Sequence, residues 1–409
     1  MSRTTSRGDL EFAAESGFCE VSTTYGSSLA FLGELNFDGL VQDKVDSERT
    51  TAYANDGTMP IRGHKSNSEF TTDFWLPGHG SATSSGSVTI QEHEYLLGYA
   101  LGASATGGAA GTATGGTATV PTTATESFIV GQLGFFGAKA DGRADGQAGV
   151  VGTDGAGSLT LLSDLPAAMN NGDVIYAATQ VYFNETPSAL TMPSVRWRGL
   201  TPNQQYAMRG CFAKNTTITG FNPGEKPRAS INWGVADWDP VSATYPSANS
   251  KDAFNPAPSA GGSLVIESTA VSTRTTYAYR DLVINIAQST VPVMGPGGLS
   301  ALQAVVGAVR GPTVITWDVT VDCGNVSATP TWPGRWDSDS QFYQLLLTAS
   351  GAANGKQVAA YSPRCCLVGR KPVQMSMDGI ARERLSFRAY TNTVTTSELT
   401  LSALRLAFG

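Results

Sequence analysis

Few residues in this 409-residue chain are of types that do chemistry, and their spacing excludes most of what those types can do. There are three histidines, His64, His79 and His93, so a site built on a histidine base has few places to form. No Gly-x-Ser-x-Gly elbow, phosphate-binding Walker loop, His-Glu-x-x-His or Cys-x-x-Cys occurs. Glu92, His93 and Glu94 are metal-ligating types, but successive helical residues point about 100° apart and cannot close on one ion. Acids at a helix start are favoured by the helix dipole, so a solvated first turn is expected there. Asp141, Asp145 and Asp154 stand among glycines like a calcium loop, without its ligand spacing or closing glutamate. Trp233, Asp237, Trp238 and Asp239 come nearest to the carboxylates and aromatics of a sugar-cleaving site, yet they sit at a strand end beside Pro240. The five cysteines, Cys19, Cys211, Cys323, Cys365 and Cys366, are odd in number and scattered, which fits neither a disulfide framework nor a zinc site. The expectation is a protein without catalysis, cofactor or metal.

Charge and composition point to assembly. Arg62, His64 and Lys65 could gather with Arg196, Arg198 and Arg209 into a basic patch, but the net charge is −7 and a phosphate-gripping role is not expected. Solvated strand faces or ion pairs between subunits suit these residues better. Hydrophobic residues make up 41% of the chain and charged residues only 15%, against about 25% charged in a typical soluble protein. Such a chain is suited to covering its polar, uncharged surface with copies of itself. The 46 glycines, with abundant Thr, Ser, Ala and Val, favour strands and turns. Residues 1–17 are charged and do not read as a signal peptide, and no apolar run reaches the ~18 residues that span a bilayer. A protein made in the cytoplasm with reduced thiols is expected.

The elements that position these residues read as follows. Residues 1–27 form a polar N-terminal arm. Leu35 and Phe37 alternate with polar neighbours in a strand, and residues 41–60 are a charged connection carrying Asp43, Lys44, Asp46, Glu48 and Arg49. A strand region at 59–76 ends at Pro77-Gly78, and a helix at 92–101 ends at Gly102. Residues 102–125 are nearly pure Gly, Ala, Thr and Ser and read as an exposed loop, dispensable decoration within a glycine-rich 102–172 insertion. Strands follow at 173–183, 194–198, 216–220 and 228–238. Residues 246–264 are a Pro-rich linker. A strand at 281–287, a long connection at 288–311 with Leu299 and Leu302, a strand at 312–321 and a helix at 339–347 come next. Hairpins close each half, one from Cys211 to Trp238 and one from Cys365 to Tyr390. This repeated order predicts two related β-sandwiches, 28–245 and 265–409.

Three stretches resemble the tail tube proteins of long-tailed bacteriophages. They are residues 60–78 with the following helix, residues 208–220, and residues 363–392, where the final strand reads Phe-x-Ala-aromatic. The resemblance is one of pattern and order and omits 102–172. It implies a mainly β fold of tandem β-sandwich tube domains, each with a flanking short helix, assembling edge to edge into a ring-shaped β-barrel. Six such domains would make a ring, from three tandem chains or as a hexamer, and the rings would stack into a conduit for genome delivery. The implied partners are the chain itself, the tape measure, baseplate and terminator proteins, and DNA passing through the lumen without specific binding, with no membrane involved. The location implied is the virion tail. Asp43, Lys44, Asp46, Glu48, Arg49, Leu299 and Leu302 are the candidate inter-ring contacts, since both long connections exceed an ordinary turn. A capsid decoration protein or another β-sandwich virion protein is the alternative, and a carbohydrate-binding tail spike a more distant one.

Overall fold

A computed structural model describes residues 9–20, 25–29, 32, 36–41, 44–45, 61–62, 68–78, 92–102, 111–117, 120–123, 128, 130–137, 147–155, 157–162, 165, 168–176, 178–184, 192–201, 204–222, 224–242, 261–268, 276–295, 305–322, 342–350, 357–373, 382–392 and 398–409. Among them the chain is mainly β, with two helices, Glu92–Leu101 and Glu398–Leu401.

Sixteen strands join one sheet. Its middle is the long strand Gln205–Thr219, which serves two neighbourhoods. Its first half pairs with Val195–Leu200 and Asp237–Pro240, and its second half with Arg228–Val235 and Tyr279–Met294. The sheet therefore runs without a break from the expected first half of the chain into the second. Tyr279–Met294 then pairs with Val305–Asp322, that strand with Arg382–Ala389, and that one with Gln357–Val373. Both closing hairpins form where the sequence puts them.

Alternation explains these strands. Ser68–Trp75 buries every second residue, with Phe70 and Phe74 inside and Glu69, Thr71 and Asp73 outside. Tyr279–Met294 alternates likewise as far as Gln288. One core gathers the inward side chains of both halves, including Trp197, Trp233 and Trp317, all fully buried. Two of these buried indoles find an acceptor, as such groups usually do, and Trp197 Nε1 has none among the described residues. Trp233 Nε1 donates to Thr72 Oγ1 at 2.9 Å, and Trp317 Nε1 to Ser362 Oγ at 2.9 Å.

Several expectations are corrected. Asp9–Ala14, expected in a free arm, is a sheet strand that buries Leu10 and Phe12 against the core. The helix expected at 339–347 is replaced by the strand Tyr343–Ser350, flanked by Gly261–Ser268 and Gln357–Val373. A strand buried on both faces reads as a continuous apolar run, and over so few residues Leu345-Leu346-Leu347 fits either period. The connection expected at 288–311 is largely strand, because Gln288–Met294 and Val305–Gly311 extend the long hairpin, with Val291 opposite Val309.

Residues 102–125 are not a plain loop. Gly111–Gly116 and Pro121–Thr123 are two strands of a six-stranded closed barrel completed by Leu133–Gly137, Gln147–Gly155, Ser158–Leu161 and Asn171–Tyr176. Its interior is Phe128, Phe136, Val151, Leu159, Leu161, Leu165, Met169 and Ile175, so the small-residue strands close over apolar groups supplied from elsewhere. The barrel packs Leu133, Phe135, Ala148 and Val150 against Val265, Leu346, Ala359, Tyr361 and Ala407 of the main sheet.

The helix Glu92–Leu101 ends as expected at Gly102, whose φ is 75° and whose N–H donates to Tyr99 O. Its last carbonyls are satisfied from the sheet: Gln288 Nε2 donates to Ala100 O at 2.6 Å and Asn184 N to Leu101 O at 3.2 Å. Its first turn is not solvated, since His93 and Glu94 are buried and the His93 ring meets Phe408 edge-on. A Cβ at Gly102 would lie 1.6 Å from Nη2 of the buried Arg310, which donates to Asn184 O. Gly102→Ala is therefore expected to cost about 2 kcal/mol, the left-handed backbone penalty plus displacement of that guanidinium. An unchanged urea midpoint would refute this reading of the helix end.

Candidate functional site

Most residues that looked chemically interesting are occupied by partners within the chain. Arg196 pairs with Glu20 at 3.4 Å, Arg198 with Glu11, and Arg209 with both Asp237 (2.6 Å) and Asp239. The Tyr25 ring lies beneath Arg198 at 4.6 Å. These arginines are thus paired within the chain, Arg198 to the N-terminal strand, Arg196 to the segment after it, and Arg209 to Asp237–Pro240. Asp237 and Asp239 converge on one guanidinium, which leaves neither arranged as the acid or base of a hydrolase. Trp233 is in the core, and Trp238 Nε1 donates to Ser68 Oγ at 3.0 Å. Arg62 lies in the short strand Ile61–Arg62, paired with Lys44–Val45, while His64 and Lys65 of that expected basic patch lie outside the described residues.

Of the candidate contact residues, Lys44 lies in the strand Lys44–Val45, whereas Asp43, Asp46, Glu48, Arg49, Leu299 and Leu302 lie outside the described residues. Among the described residues no three His, Cys, Asp or Glu side chains gather as metal ligands. Asp141 and Asp145 lie outside the described residues, and Asp154 falls in the barrel strand Gln147–Gly155. Glu15 accepts N–H groups from Cys19 and Gly210, both at 3.0 Å, and burial raises its pKa. Burial pushes the thiol of Cys19 up to about 12 and holds those of Cys211 and Cys365 well above the ordinary thiol range, so these buried thiols are poor nucleophiles at neutral pH.

Two surfaces remain without an evident role inside the subunit. The first is the far end of the long hairpin. Beyond Gln288 no residue of the first strand is buried, and Val291, Val293, Met294, Val306 and Val309 are exposed, Val291 and Met294 each by 56%. These are five of the eleven large exposed apolar residues among the described ones, gathered on one two-stranded ribbon.

The second is the outer face of seven consecutive strands, from Ser68–Trp75 through Arg228–Val235, Gln205–Thr219, Tyr279–Met294, Val305–Asp322 and Arg382–Ala389 to the second half of Gln357–Val373. Its middle is mostly hydroxyl and amide, with Ser230 and Asn232, Asn215 and Thr217, Asn285, and Thr316, and its charges are occupied, Lys214 by Glu69 at 2.6 Å and Asp318 by the Ser386 hydroxyl. Thr217 Oγ1 donates to Asn285 Oδ1 across the ladder. Its two margins differ in charge. Glu69 and Asp73 stand on the first strand, and Lys371, Arg384 and Arg388 on the last two, all exposed. At the basic margin Arg364 stacks 3.9 Å over Phe342, Phe342 meets Tyr390 edge-on, and Arg388 lies 5.3 Å over Tyr390.

The sequence reading did not single out this margin, although its signal was available. Arg384, Ser386, Arg388 and Tyr390 alternate with Leu385, Phe387 and Ala389, which puts two bases and an aromatic on one face. Among the described residues no helix is long and apolar enough to cross a membrane. No protein-family model matches this sequence, and comparison with curated proteins finds no match.

Proposed function

We propose that this chain is a structural subunit that polymerises into stacked rings, forming the tail tube of a long-tailed bacteriophage and a conduit for its genome. The observation that carries this reading is the apolar hairpin end. Val291, Val293, Met294, Val306 and Val309 are exposed on a ribbon whose other face sends Val305 and Ala308 into the core, and such an open apolar face is a liability for a monomer and a contact for a polymer. A seven-stranded outer face that no described strand or helix is paired over also fits a subunit whose sheet continues into its neighbour's. The middle of that face, mostly hydroxyl and amide with Lys214 already paired to Glu69, suits a bore that neither grips nor blocks a polyanion. In this reading the hairpin reaches the next ring, and two tube-type units per chain would let three chains close a ring.

Electron microscopy of the purified protein tests it, with long hollow polymers as the expected result. A protein that stays dispersed and binds only a preformed capsid lattice would be a decoration protein instead. Replacing Val291, Val293 and Val309 with Thr keeps β-branching on the ribbon while removing apolar surface. The triple variant is expected to stay folded, with polymer length or yield falling at least tenfold. Normal tubes from it would refute the role of the hairpin.

A further inference from the structure

We propose that the two margins of the seven-stranded face recognise each other between copies, the acidic margin of one subunit docking on the cation–aromatic margin of the next. The occupant of the Lys371, Arg384 and Arg388 surface is thus a second copy of this chain, presented by its Ser68–Trp75 edge. The proposal rests on the polymerising-subunit reading and specifies its side-to-side contact.

Three observations lead to it. First, the margins are complementary. Asp73 is exposed on one, and Asp38 is exposed on the adjoining loop, which is tied to that edge by the bond from Glu69 N to Gly39 O, while the Glu69 carboxylate is already engaged by Lys214 at 2.6 Å. On the other margin no carboxylate among the described residues pairs with Lys371, Arg384 or Arg388. Of the acids near them, Glu383 is engaged by Arg370 at 2.8 Å and Asp318 accepts from Ser386 Oγ. Cross-strand neighbours of opposite charge favour pairing, and like charges oppose it.

Second, the ends of the face are sheet edges. Among the described residues nothing pairs with the outer side of residues 367–373. The edge of Ser68–Trp75 is held at Glu69 N by Gly39 O and at Asp73 O by Leu32 N, so a full main-chain ladder is not open there. The contact is accordingly carried by side chains across the seam. Third, the basic margin has the composition of a contact centre, with Arg364, Phe342, Tyr390 and Arg388 stacked in one row. Arginine and aromatic side chains are the types enriched at protein interfaces.

The direction of assembly follows. Pairing either margin with itself about a twofold axis would set Asp73 and Asp38 against their own kind, or Lys371 and Arg384 against theirs. Like charge thus disfavours the self-complementary dimer, and the contact is head to tail, the type that closes rings or grows filaments. Every ladder across the seven strands is antiparallel, so the first and seventh strands run the same way. A ring formed by rotation about an axis along the strands therefore has a parallel seam at each junction. Parallel pairing is slightly weaker per residue, so side-chain charge is what sets the partner.

The test uses two full-length charge-reversal variants. Asp38→Lys/Asp73→Lys makes both margins basic, and Lys371→Glu/Arg384→Glu makes both acidic. All four positions are exposed, and matched thermal midpoints identify folded protein. Self-association followed by sedimentation in low salt is expected to weaken at least tenfold for each variant alone. An equimolar mixture is expected to recover to within about threefold of the parent, through alternating junctions. Raising the salt to about 1 M, where screening acts within about 3 Å, is expected to reduce the difference. Undiminished association of either variant alone overturns the proposal, as does a mixture that stays dispersed while the parent polymerises. Either result leaves the polymer reading standing. A parent chain that never associates defeats both. If a single-stranded oligonucleotide binds the parent and is lost from Lys371→Glu/Arg384→Glu with self-association unchanged, the basic margin is a nucleic-acid surface and the seam is refuted.

Discussion

Arg405→Ala is expected to cost the fold on the order of 4 kcal/mol, more than any exposed substitution in this chain. Arg405 is 1% exposed, on the short strand Arg405–Phe408 near the C-terminus. Its Nη1 donates to Gly131 O at 2.7 Å and its Nη2 to Thr400 O at 2.8 Å, and the guanidinium lies 5.2 Å from the centre of the Tyr361 ring. One side chain thus joins a loop of the inserted barrel, the short helix Glu398–Leu401 and the main sheet. No carboxylate among the described residues neutralises it, and burial pushes its pKa down to about 10, so it stays charged at neutral pH. Truncation takes the Arg405 donor from Gly131 O, at about 1–3 kcal/mol, leaves Thr400 O with the Asn392 Nδ2 bond alone, and opens a cavity. Relief from burying a charge offsets part of that loss. Arg405→Lys keeps the charge but lacks the fork that reaches both carbonyls, so it is expected to fall between the two, near 2 kcal/mol. The urea midpoint is the measurement, at unchanged slope. An alanine variant within 1 kcal/mol of the parent would mean that the barrel is held by its apolar contacts alone.

Arg405 also marks where the sequence ceased to be legible. A four-residue strand carries too little alternation to read, and its residues are buried on both faces. Longer amphipathic segments were readable. Ser68–Trp75, residues 281–287 and both closing hairpins announce themselves by period two, and Glu92–Leu101 by its apolar spacing and Gly102. Tyr343–Ser350 misled because a strand between two others needs no polar face. Gly111–Gly116 misled because its apolar partners, such as Phe136 and Leu159, come from later in the chain. The polar residues were harder still. That Arg196 and Arg198 are paired within the chain depends on Asp9–Ala14 returning to the strand Val195–Leu200, a contact across nearly two hundred positions. The apolar hairpin end was visible as Val305 and Val306, but in a segment taken for a loop. Which of its residues stay outside the core is a property of register, which one sequence does not fix.

Deleting residues 103–125 alone is expected to be worse than removing the whole insertion, the reverse of what a decorative loop would give. Gly111–Gly116 and Pro121–Thr123 close the barrel between Asn171–Tyr176 and Ser158–Leu161. A unit of roughly 60 residues buries only about 60% of its unfolded surface and is marginal by itself. Losing two of six strands exposes Phe136, Leu159, Leu161 and Ile175, more than such a unit tolerates. The remnant should unfold while tethered to an intact sheet, and bring aggregation with it. Excising 104–177 with a short Gly-Ser bridge removes that core cleanly, and Asn184 N bonded to Leu101 O shows that the flanking segments already run close together. The cost moves to the sheet, where Val265, Leu346 and Tyr361 lose their cover and Gln180 loses both bonds to Leu133. The excised protein is therefore expected to fold with a lower midpoint and a new apolar surface that binds a hydrophobic dye. The 103–125 deletion is expected to show rapid proteolysis throughout 128–176. If that deletion instead leaves 128–176 protected and the midpoint unchanged, the six strands do not fold as one unit, and residues 102–125 are the decoration their composition suggests.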